Sequence, residues 1–418
     1  MSWSAKARGL PGRARTSLRR QRAPTRPQTP FRAHTEGTDP VLDLDRVWTA
    51  EVSIIPWLRR HVQLEGARVV EYGCGDGQVS RSLAPHVRSL VGLDIDRAMV
   101  DWGRRQVEEA QIENVDLQFH PLESIVDVFK SFRGAVDVVL LYAVLEHLTV
   151  AERLEVLQAG RELADPDGSI VVVESPNRLI SLDSHSSHLP YLSWLPDELA
   201  RRYADRSPRQ DYREGLLAAR AEGPEAEADW WVRFGRGVSF HEFELVFGDL
   251  RSHLLAGDYE TVMWPARPLQ PEELPLAKDL GRQRPDLGPI WSRHWLDFVL
   301  SPAPVAEPPR LVRPWPMATE HAEHVEYASW GGLHLRGPRS RLFVHPGRPT
   351  RRLVVGFTSA PGEATLTVER DGVPLAEART CSTLEFARYV DVGWGEEVDQ
   401  FELRMSTDAW LILVAPET

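Results

Sequence analysis

Cysteine and long apolar segments are both scarce in this chain of 418 residues. Its two cysteines, Cys74 and Cys381, are too few for a disulfide framework or a four-cysteine zinc site. No window holds the roughly 18 consecutive apolar residues that a membrane-spanning helix needs, so no membrane span is expected. The sequence therefore favours a soluble protein of a reducing compartment, and we expect a cytoplasmic location.

Acidic residues are missing from one end of the chain. Residues 1–35 contain nine Lys and Arg side chains and no Asp or Glu, and they show no apolar periodicity. We predict that residues 1–40 form a disordered basic tail, with an organelle-targeting segment as the alternative. Nine of the 49 basic residues lie there, so residues 36–418 contain the other 40 basic residues and all 61 acidic residues. The formal charge of this larger part is −21. An acidic body disfavours nucleic acid as the main partner.

Strand and helix patterns alternate through the middle of the chain. Strand patterns occupy 67–72, 89–94, 116–120, 136–142 and 169–174, and helix patterns occupy 78–86, 98–110, 122–132 and 150–163. An amphipathic helix at 47–61 precedes them, and Pro56 is expected to kink or split it. This order predicts an α/β domain at 41–302, with a parallel sheet covered by helices on both faces.

The alternation stops after Pro176. An insert at about 177–240 contains helix-like pieces and the pair Trp230-Trp231, which could be buried anchors or an acceptor platform. Strand patterns return at 259–264 and 295–301, and the proline-rich segment between them is expected to be loop. A proline-rich linker is predicted at 303–316. Short β patterns and an Asp371-Gly372 hairpin turn predict a β-sandwich-like domain at 317–418.

A glycine-rich turn directly follows the first predicted strand. The segment reads Val69-Val70-Glu71-Tyr72-Gly73-Cys74-Gly75-Asp76-Gly77, and a helix pattern starts at once. Alternate glycines let a ligand approach the backbone, and a helix start offers unpaired N–H groups. The spacing differs from the Gly-x-Gly-x-x-Gly of dinucleotide sites. Asp94 ends the next strand, where a carboxylate can accept hydrogen bonds from both hydroxyls of an adenosine ribose.

These residues resemble those of the class I S-adenosylmethionine-dependent methyltransferases. The resemblance extends to Leu93-Asp94-Ile95-Asp96, to Val144-Leu145-Glu146-His147-Leu148 and to Pro166-Asp167-Gly168. It implies a Rossmann-like seven-stranded sheet, an enzyme that transfers methyl groups and S-adenosylmethionine as the cofactor. The cofactor-binding residues that it implies are Glu71, Gly73, Cys74, Gly75, Gly77, Asp94, Ile95, Leu122 and Tyr142.

Recognition of the adenine is the least defined part of this cofactor site. The third strand of such enzymes normally ends in a carboxylate that faces the adenine amine, whereas His120-Pro121-Leu122-Glu123 stands here. Backbone groups near Leu122, or the Glu123 side chain, would take over that role. Cys74 is expected to be a small buried residue of the turn rather than a nucleophile. A related domain that binds another nucleotide, or none, is the alternative.

Histidines and acids after the fourth and fifth strands are the candidate catalytic residues. Methyl transfer to an oxygen needs a base that removes the acceptor's proton. The candidates for this role are Glu146, His147, His185, His188 and His241. Asp183 is placed to orient His185 or His188. Alternatively, Glu146 and His147 form a hydrogen-bonded pair that fixes the strand end, and the other histidines are surface or capping residues.

The Leu-Glu-His triplet resembles that of the ubiquinone-biosynthesis O-methylating enzymes. The segment after the fifth strand resembles that of bacterial methyltransferases of glycan and natural-product assembly. Some relatives bind a divalent metal through a Glu-x-x-Glu-His pattern and a later histidine, but Ala143 takes the first Glu position here. A partial metal site of Glu146, His147 and His241 stays open, as does the absence of any metal.

We expect O-methylation of a small-molecule or glycan-linked acceptor, held by the insert at 177–240. Two alternatives remain. One is methylation of RNA or of another nitrogen or oxygen acceptor, with the basic tail as a tether. The other is a scaffold protein that binds the cofactor without turnover. A segment at 239–244, Ser-Phe-His-Glu-Phe-Glu, either lines the acceptor pocket or anchors the insert.

Overall fold

A computed structural model describes residues 46–308 and 325–417 of the chain. Within these ranges it omits 48, 135, 258, 260–269, 271, 328–332, 346–348, 360–361 and 383–387. The predicted tail at 1–40 and half of the predicted linker lie outside the described residues, so both stay predictions. None of the helices in the described ranges combines the length and the apolar character that spanning a lipid bilayer requires.

Seven strands form the central sheet. They are β1 (Arg68–Tyr72), β2 (Ser89–Asp94), β3 (Val115–Phe119), β4 (Val136–Tyr142), β5 (Ala164–Pro176), β6 (Leu254–Ala256) and β7 (Trp295–Leu300). Their order in the sheet is β3-β2-β1-β4-β5-β7-β6. The strands β1 to β5 pair in parallel, and β7 runs antiparallel between β5 and β6. The predicted Rossmann-like seven-stranded sheet is confirmed.

Helices cover both faces of this sheet and build the insert. They are α1 (Ile55–His61), α2 (Gln78–Leu83), α3 (Arg97–Glu109), α4 (Leu122–Ser131), α5 (Val150–Leu163), α6 (Asp197–Tyr203), α7 (Gln210–Glu222), α8 (Pro224–Arg233), α9 (Phe240–Phe247), α10 (Leu250–His253) and α11 (Glu273–Gln283). Along β4, Val138 and Leu140 pack into the apolar cluster on one face, and Val139 and Leu141 pack into the cluster on the other. Continuous apolar strands are therefore buried on both sides, as predicted.

Three predicted elements differ from the structure. The predicted helix at 47–61 changes from a π-helical turn at Ala50–Ile54 to the α-helix α1, which begins one residue before Pro56, so the expected split takes the form of a change in helical winding. The sixth strand is Leu254–Ala256 rather than the predicted 259–264, of which 260–264 lie outside the described residues. The segment predicted as loop contains α11, because its Pro275 falls in the first helical turn, which tolerates proline.

The C-terminal part of the chain folds into two antiparallel sheets. One contains β10 (Leu342–Val344), β12 (Gly362–Arg370), β13 (Val373–Ser382) and β15 (Phe401–Met405), and the other contains β8 (Val325–Tyr327), β9 (Leu333–Leu335), β11 (Thr350–Ser359), β14 (Arg388–Val398) and β16 (Ala409–Glu417). Leu353 and Val355 of one sheet share an apolar cluster with Leu366 and Leu403 of the other. This confirms the sandwich-like architecture.

The structure contains the predicted hairpin turn and shows where the sandwich packs against the rest of the chain. Asp371 and Gly372 both have positive φ angles between the paired strands β12 and β13, as a two-residue hairpin turn requires. Val354 of the sandwich packs against the apolar cluster that includes Ile54 and Trp57. The sandwich therefore rests on the helical segment that precedes the central sheet.

Candidate active site

The glycine turn leaves one face of the backbone open. Gly73 N–H and Cys74 N–H donate to Leu93 O at 2.7 and 3.1 Å, which ties the turn to the end of β2. A Cβ added at Gly73 or at Gly77 would lie 2.3 or 2.6 Å from a neighbouring side chain, so these glycines pack against protein. A Cβ added at Gly75 would meet no atom within 4 Å. The turn therefore exposes its backbone to a ligand at Gly75.

Glu71 lies beneath this turn rather than in the open space beside it. Its side chain is buried, and its carboxylate accepts a hydrogen bond from Ser80 Oγ on α2. Burial raises the pKa of Glu71 to about 7, against the lowering effect of the Ser80 hydrogen bond. Glu71 thus links the end of β1 to the helix that follows the turn.

Asp94 connects the end of β2 to the glycine turn. Its Oδ2 accepts from Gly75 N–H at 2.7 Å, and its Oδ1 accepts from Asp96 N–H at 2.8 Å. Burial raises the pKa of Asp94, although these backbone N–H groups act in the opposite direction. A carboxylate offers roughly four acceptor positions, so about two remain for the hydroxyls of a ribose.

The remaining predicted cofactor residues surround the turn. Cys74 is buried, and burial raises the pKa of its thiol well above the ordinary value, so it stays protonated and unreactive. Tyr142 is buried at the end of β4. Ile95 directly follows β2 and Leu122 is the first residue of α4, and both are half-buried.

Arg46 is a site residue that the sequence pattern did not reveal. Its guanidinium carbon lies 5.8 Å from the centre of the Tyr142 ring. Its charge acts on Glu71, Asp76, Glu146 and Glu174, which surround the same edge of the sheet. No local signal separates this arginine from the others near the start of the chain. Its position depends on how the first helical segment packs against β4.

Glu146, His147 and His185 converge at the carboxyl end of β4. Glu146 Oε1 lies 3.8 Å from His147 Nε2 and 4.0 Å from His185 Nε2. The Glu146 side chain is 1% exposed, whereas the two rings are 37% and 23% exposed. Within the described residues, both carboxyl oxygens of Glu146 lack a hydrogen-bond partner. The alternative of a hydrogen-bonded Glu146–His147 pair therefore does not apply.

Hydrogen bonds define the tautomer of both histidines. His147 Nδ1 lies 2.8 Å from Arg233 O, which can only accept, so Nδ1 carries the hydrogen. His185 Nδ1 lies 3.0 Å from Ser186 Oγ, whose own hydrogen is donated to Gly235 O, so this Nδ1 is also the donor. Each Nε2 atom therefore carries an unprotonated lone pair, and the two atoms lie 3.8 and 4.0 Å from Glu146 Oε1.

Removal from water controls the protonation of this group. It raises the pKa of Glu146 to about 8 and lowers the pKa of His147 to about 4 and that of His185 to about 3. Near neutral pH both imidazoles are neutral, and Glu146 holds the proton of the group. Two uncharged nitrogen acceptors and one ionisable carboxyl group therefore meet at the sheet edge where ligands of open α/β folds bind.

The other predicted catalytic residues do not join this group. His188 is exposed in a loop with a left-handed backbone, and His241 is exposed on the first turn of α9, where its Nδ1 lies 3.1 Å from Ser239 Oγ. The possible metal site of Glu146, His147 and His241 is not assembled in the structure, because the insert brings His185 rather than His241 to Glu146 and His147. Asp183 orients neither histidine, since its carboxylate accepts hydrogen bonds within its own loop.

The aromatic residues of the insert are mostly structural. Phe240 and Phe243 are buried in the main apolar cluster, and Trp231 is buried in a separate cluster of the insert. The segment at 239–244 is therefore an anchor rather than a pocket wall. Trp295 of β7 is half-buried and meets the His185 ring edge to face at 5.7 Å. It is the aromatic group beside the Glu146 cluster that sequence patterns did not single out.

Backbone conformations that side chains rarely adopt occur directly after β4 and within β5. Ala143 after β4 has φ +46°, and Glu174 within β5 has φ +54°. The pairing of β5 with β7 shifts register at this point, and Glu174 N–H donates to the buried Asp297 at 2.8 Å. Residues outside the ordinary backbone regions concentrate at functional sites. Both lie at the edge that carries Glu146.

Comparison with known proteins finds similarity to methyltransferases in the part of the chain that contains this edge. Residues 69–168 match a family model described as "Methyltransferase domain". The ubiquinone biosynthesis O-methyltransferase of Acinetobacter baylyi is 26% identical over 115 residues, covering 27% of this chain and 46% of the relative. The Coxiella burnetii protein of the same name is 25% identical over 100 residues, covering 24% and 41%. The chain thus spans less than half the length of these curated relatives.

One solved structure aligns with a larger share of the chain. PKMT2 from Rickettsia typhi, in complex with AdoHcy, aligns at 16% identity with a TM-score of 0.38, covering 59% of this chain and 52% of that one. The family match extends from β1 to the first residues of β5. It therefore contains the glycine turn, Asp94 and Glu146-His147.

Proposed function

We propose that this chain, a class I S-adenosylmethionine-dependent methyltransferase by its sheet order, glycine turn and family match, methylates a hydroxyl oxygen of a small-molecule or glycan-linked acceptor. One observation carries the proposal. The open backbone at Gly75 and the cluster of Glu146, His147 and His185 belong to neighbouring strands and face the same edge of the sheet.

The residues beside the glycine turn fit the cofactor. The space at Gly75 admits a ligand against the main chain, and Asp94 keeps acceptor positions for ribose hydroxyls. Arg46 provides a positive charge at the same edge, suited to the carboxylate of the methionine portion. When bound, S-adenosylmethionine supplies a methyl group on a positively charged sulfur.

The chain's own residues then orient the acceptor and take its proton. His147 Nε2 and His185 Nε2 are neutral lone-pair donors at working pH, because their pKa values lie at about 4 and about 3. Either nitrogen can accept the hydroxyl proton as the oxygen attacks. Ionisation of the adjacent Glu146, with its pKa at about 8, adds a negative charge that stabilises the resulting imidazolium. Activity should therefore rise with pH up to about 8.

Trp295 and the insert supply the walls of the acceptor site. The Trp295 ring and the two imidazoles present flat, partly exposed surfaces beside the buried Glu146. Such a surface suits a sugar ring or another cyclic acceptor that bears a hydroxyl group. The two relatives named ubiquinone biosynthesis O-methyltransferase support oxygen as the methylated atom.

The proposal is tested by transfer of labelled methyl groups. Purified protein is incubated with methyl-labelled S-adenosylmethionine and a panel of phenols, sugars and glycosides, and products are identified by mass spectrometry. The variants Glu146→Gln and His185→Gln should lower kcat roughly 100-fold or more, the usual contribution of a general base. Their affinity for S-adenosylhomocysteine should stay unchanged. His188→Gln is the matched control, because His188 is an exposed histidine of the same loop.

Two results would contradict the proposal. Full kcat in both variants would exclude the cluster from proton removal. Binding of S-adenosylhomocysteine without label transfer to any acceptor would favour the scaffold alternative. Transfer to RNA at low salt, lost on deletion of residues 1–35, would favour the RNA alternative.

A divalent metal at the same cluster is a second candidate. One carboxylate oxygen and two imidazole nitrogens lie within 4.8 Å of one another, and both imidazoles donate their other N–H to protein oxygens. Such outer hydrogen bonds orient histidines that ligate metals. A metal would have to displace the Glu146 proton, so binding should strengthen with pH up to about 8.

Calorimetric titration with Zn²⁺ and Mn²⁺ at pH 6 and pH 8 tests this candidate. Binding should be tighter at pH 8, weakened at least tenfold by His185→Gln and unaffected by His241→Gln. Equal binding by both variants would place any metal elsewhere. Full methyl transfer after exhaustive chelation would show that the reaction runs on the side chains alone.

A further inference from the structure

We propose that Arg153 is the positioning residue of the acid–base cluster. It holds the backbone of the turn Leu145–His147 and joins that turn to residues 236–242 of the insert. The inference rests on the proposed function, because it assigns Arg153 a role through Glu146 and His147.

The Arg153 guanidinium is fully used inside the protein. Its side chain is 2% exposed on the first turn of α5. Nε donates to Leu145 O at 2.7 Å. One terminal nitrogen, Nη1, donates to Gly237 O and Glu242 Oε1 at 3.1 and 3.2 Å. The other, Nη2, donates to Arg236 O at 2.6 Å and to Glu146 O at 3.4 Å. All five N–H groups of the side chain thus have an acceptor.

A second arginine completes the hold on the turn. Arg233 Nη1 donates to His147 O at 2.8 Å, and its guanidinium is paired with Glu152, the neighbour of Arg153 on α5. Arg236 N–H also donates to Glu146 O at 2.7 Å. Each carbonyl of Leu145, Glu146 and His147 therefore receives a hydrogen bond from an arginine. The insert and α5 together support the turn that carries the cluster.

Lysine cannot replace this arrangement. A guanidinium places five donors in a rigid plane, whereas an ammonium group has three donors on a flexible stem. At position 153 a lysine would leave carbonyl groups of the turn or of the insert without a partner. Small displacements of a catalytic group reduce rates strongly, because reacting atoms must meet at a defined distance and angle.

The test compares Arg153 with another arginine of the same helix. Arg161 also donates to backbone carbonyls, those of Pro302 and Val246, but it lies about two turns after Arg153 on α5 and none of these bonds reaches the turn Leu145–His147. Arg153→Lys should lower kcat roughly 10- to 100-fold while the affinity for S-adenosylhomocysteine changes less than twofold. Arg161→Lys should lower the melting temperature without changing kcat. Equal kcat in the two variants would overturn the inference.

A double-mutant cycle separates failure of this inference from failure of the proposed function. If Arg153 acts through the cluster, Arg153→Lys should have little further effect on kcat in the Glu146→Gln background. If the two substitutions instead lower kcat by independent factors that multiply in the double variant, Arg153 acts elsewhere. That result overturns this inference alone. Wild-type kcat in both Glu146→Gln and His185→Gln would exclude the cluster from proton removal, and absence of label transfer by the wild type would overturn the proposed function.

Discussion

Replacing Glu146 by glutamine should make the protein more stable at alkaline pH, and the gain should grow with pH. The folded protein holds the Glu146 proton up to about pH 8, whereas the unfolded chain releases it near 4.5. Between these values the folded state binds more protons. The stabilisation that the wild type gains from this bound proton is complete below pH 4.5, is lost progressively as the pH rises from 4.5 to about 8, and changes no further above that. Glutamine has no such proton to release.

The magnitude follows from the width of that pH window. Each pKa unit corresponds to about 1.4 kcal/mol, so raising the pH from 5 to 8 should cost the wild type about 4 kcal/mol relative to Glu146→Gln. For a domain of this size, such a difference shifts the melting temperature by roughly 10 °C. The lowered pKa values of His147 and His185 contribute to both proteins and cancel in the comparison.

Differential scanning fluorimetry of the full chain without cofactor, in buffers from pH 5 to pH 8, measures this effect. The melting temperature of Glu146→Gln minus that of the wild type should increase steadily over the series. Glu198→Gln is the control, because the Glu198 side chain is 82% exposed and its removal should leave the curve parallel to the wild type. Parallel curves for Glu146→Gln would refute the argument that burial keeps Glu146 protonated.

Three further outcomes are expected. Gly75→Ala should weaken binding of S-adenosylhomocysteine at least tenfold in calorimetry, because the added methyl group takes up the open space beside the turn; the left-handed φ of +56° at this position should also lower stability by roughly 1–2 kcal/mol, and unchanged binding by the folded variant would place the ligand elsewhere. Asp94→Ala should weaken the same binding roughly 10- to 100-fold, since a hydrogen bond to a charged acceptor contributes about 1.5–3 kcal/mol; full affinity would show that the ribose does not lie there. Deleting residues 1–35 should leave kcat on a neutral acceptor unchanged, and a large loss would contradict the tail prediction.

Local patterns were sufficient for the scaffold and for the cofactor end of the site. The alternation of apolar strands with amphipathic helices predicted five parallel strands to within a few residues, apart from the longer β5. The glycine turn and Asp94 could be identified from the sequence because the turn directly follows β1 and Asp94 ends β2. The carboxyl ends of adjacent parallel strands meet at one edge of the sheet. The Asp371-Gly372 turn was readable for the same local reason, since two-residue hairpins require left-handed backbone.

Long-range packing decided the acid–base end. His185, His188 and His241 look alike in the sequence, and only the path of the insert brings His185 to Glu146 and leaves His188 and His241 exposed. Nothing local distinguishes Arg153 as a buried residue with five acceptors.

The chemistry of the cluster depends on the same packing. Protonation of Glu146 and of the two imidazoles is governed by exclusion of water and by neighbouring charges, which arrive from segments up to about a hundred residues away. The amino-acid sequence specifies which ionisable side chains are available. Their pKa values and mutual distances exist only once β4, the insert and the first helical segment have packed together, because a carboxyl group's proton affinity is a property of its surroundings.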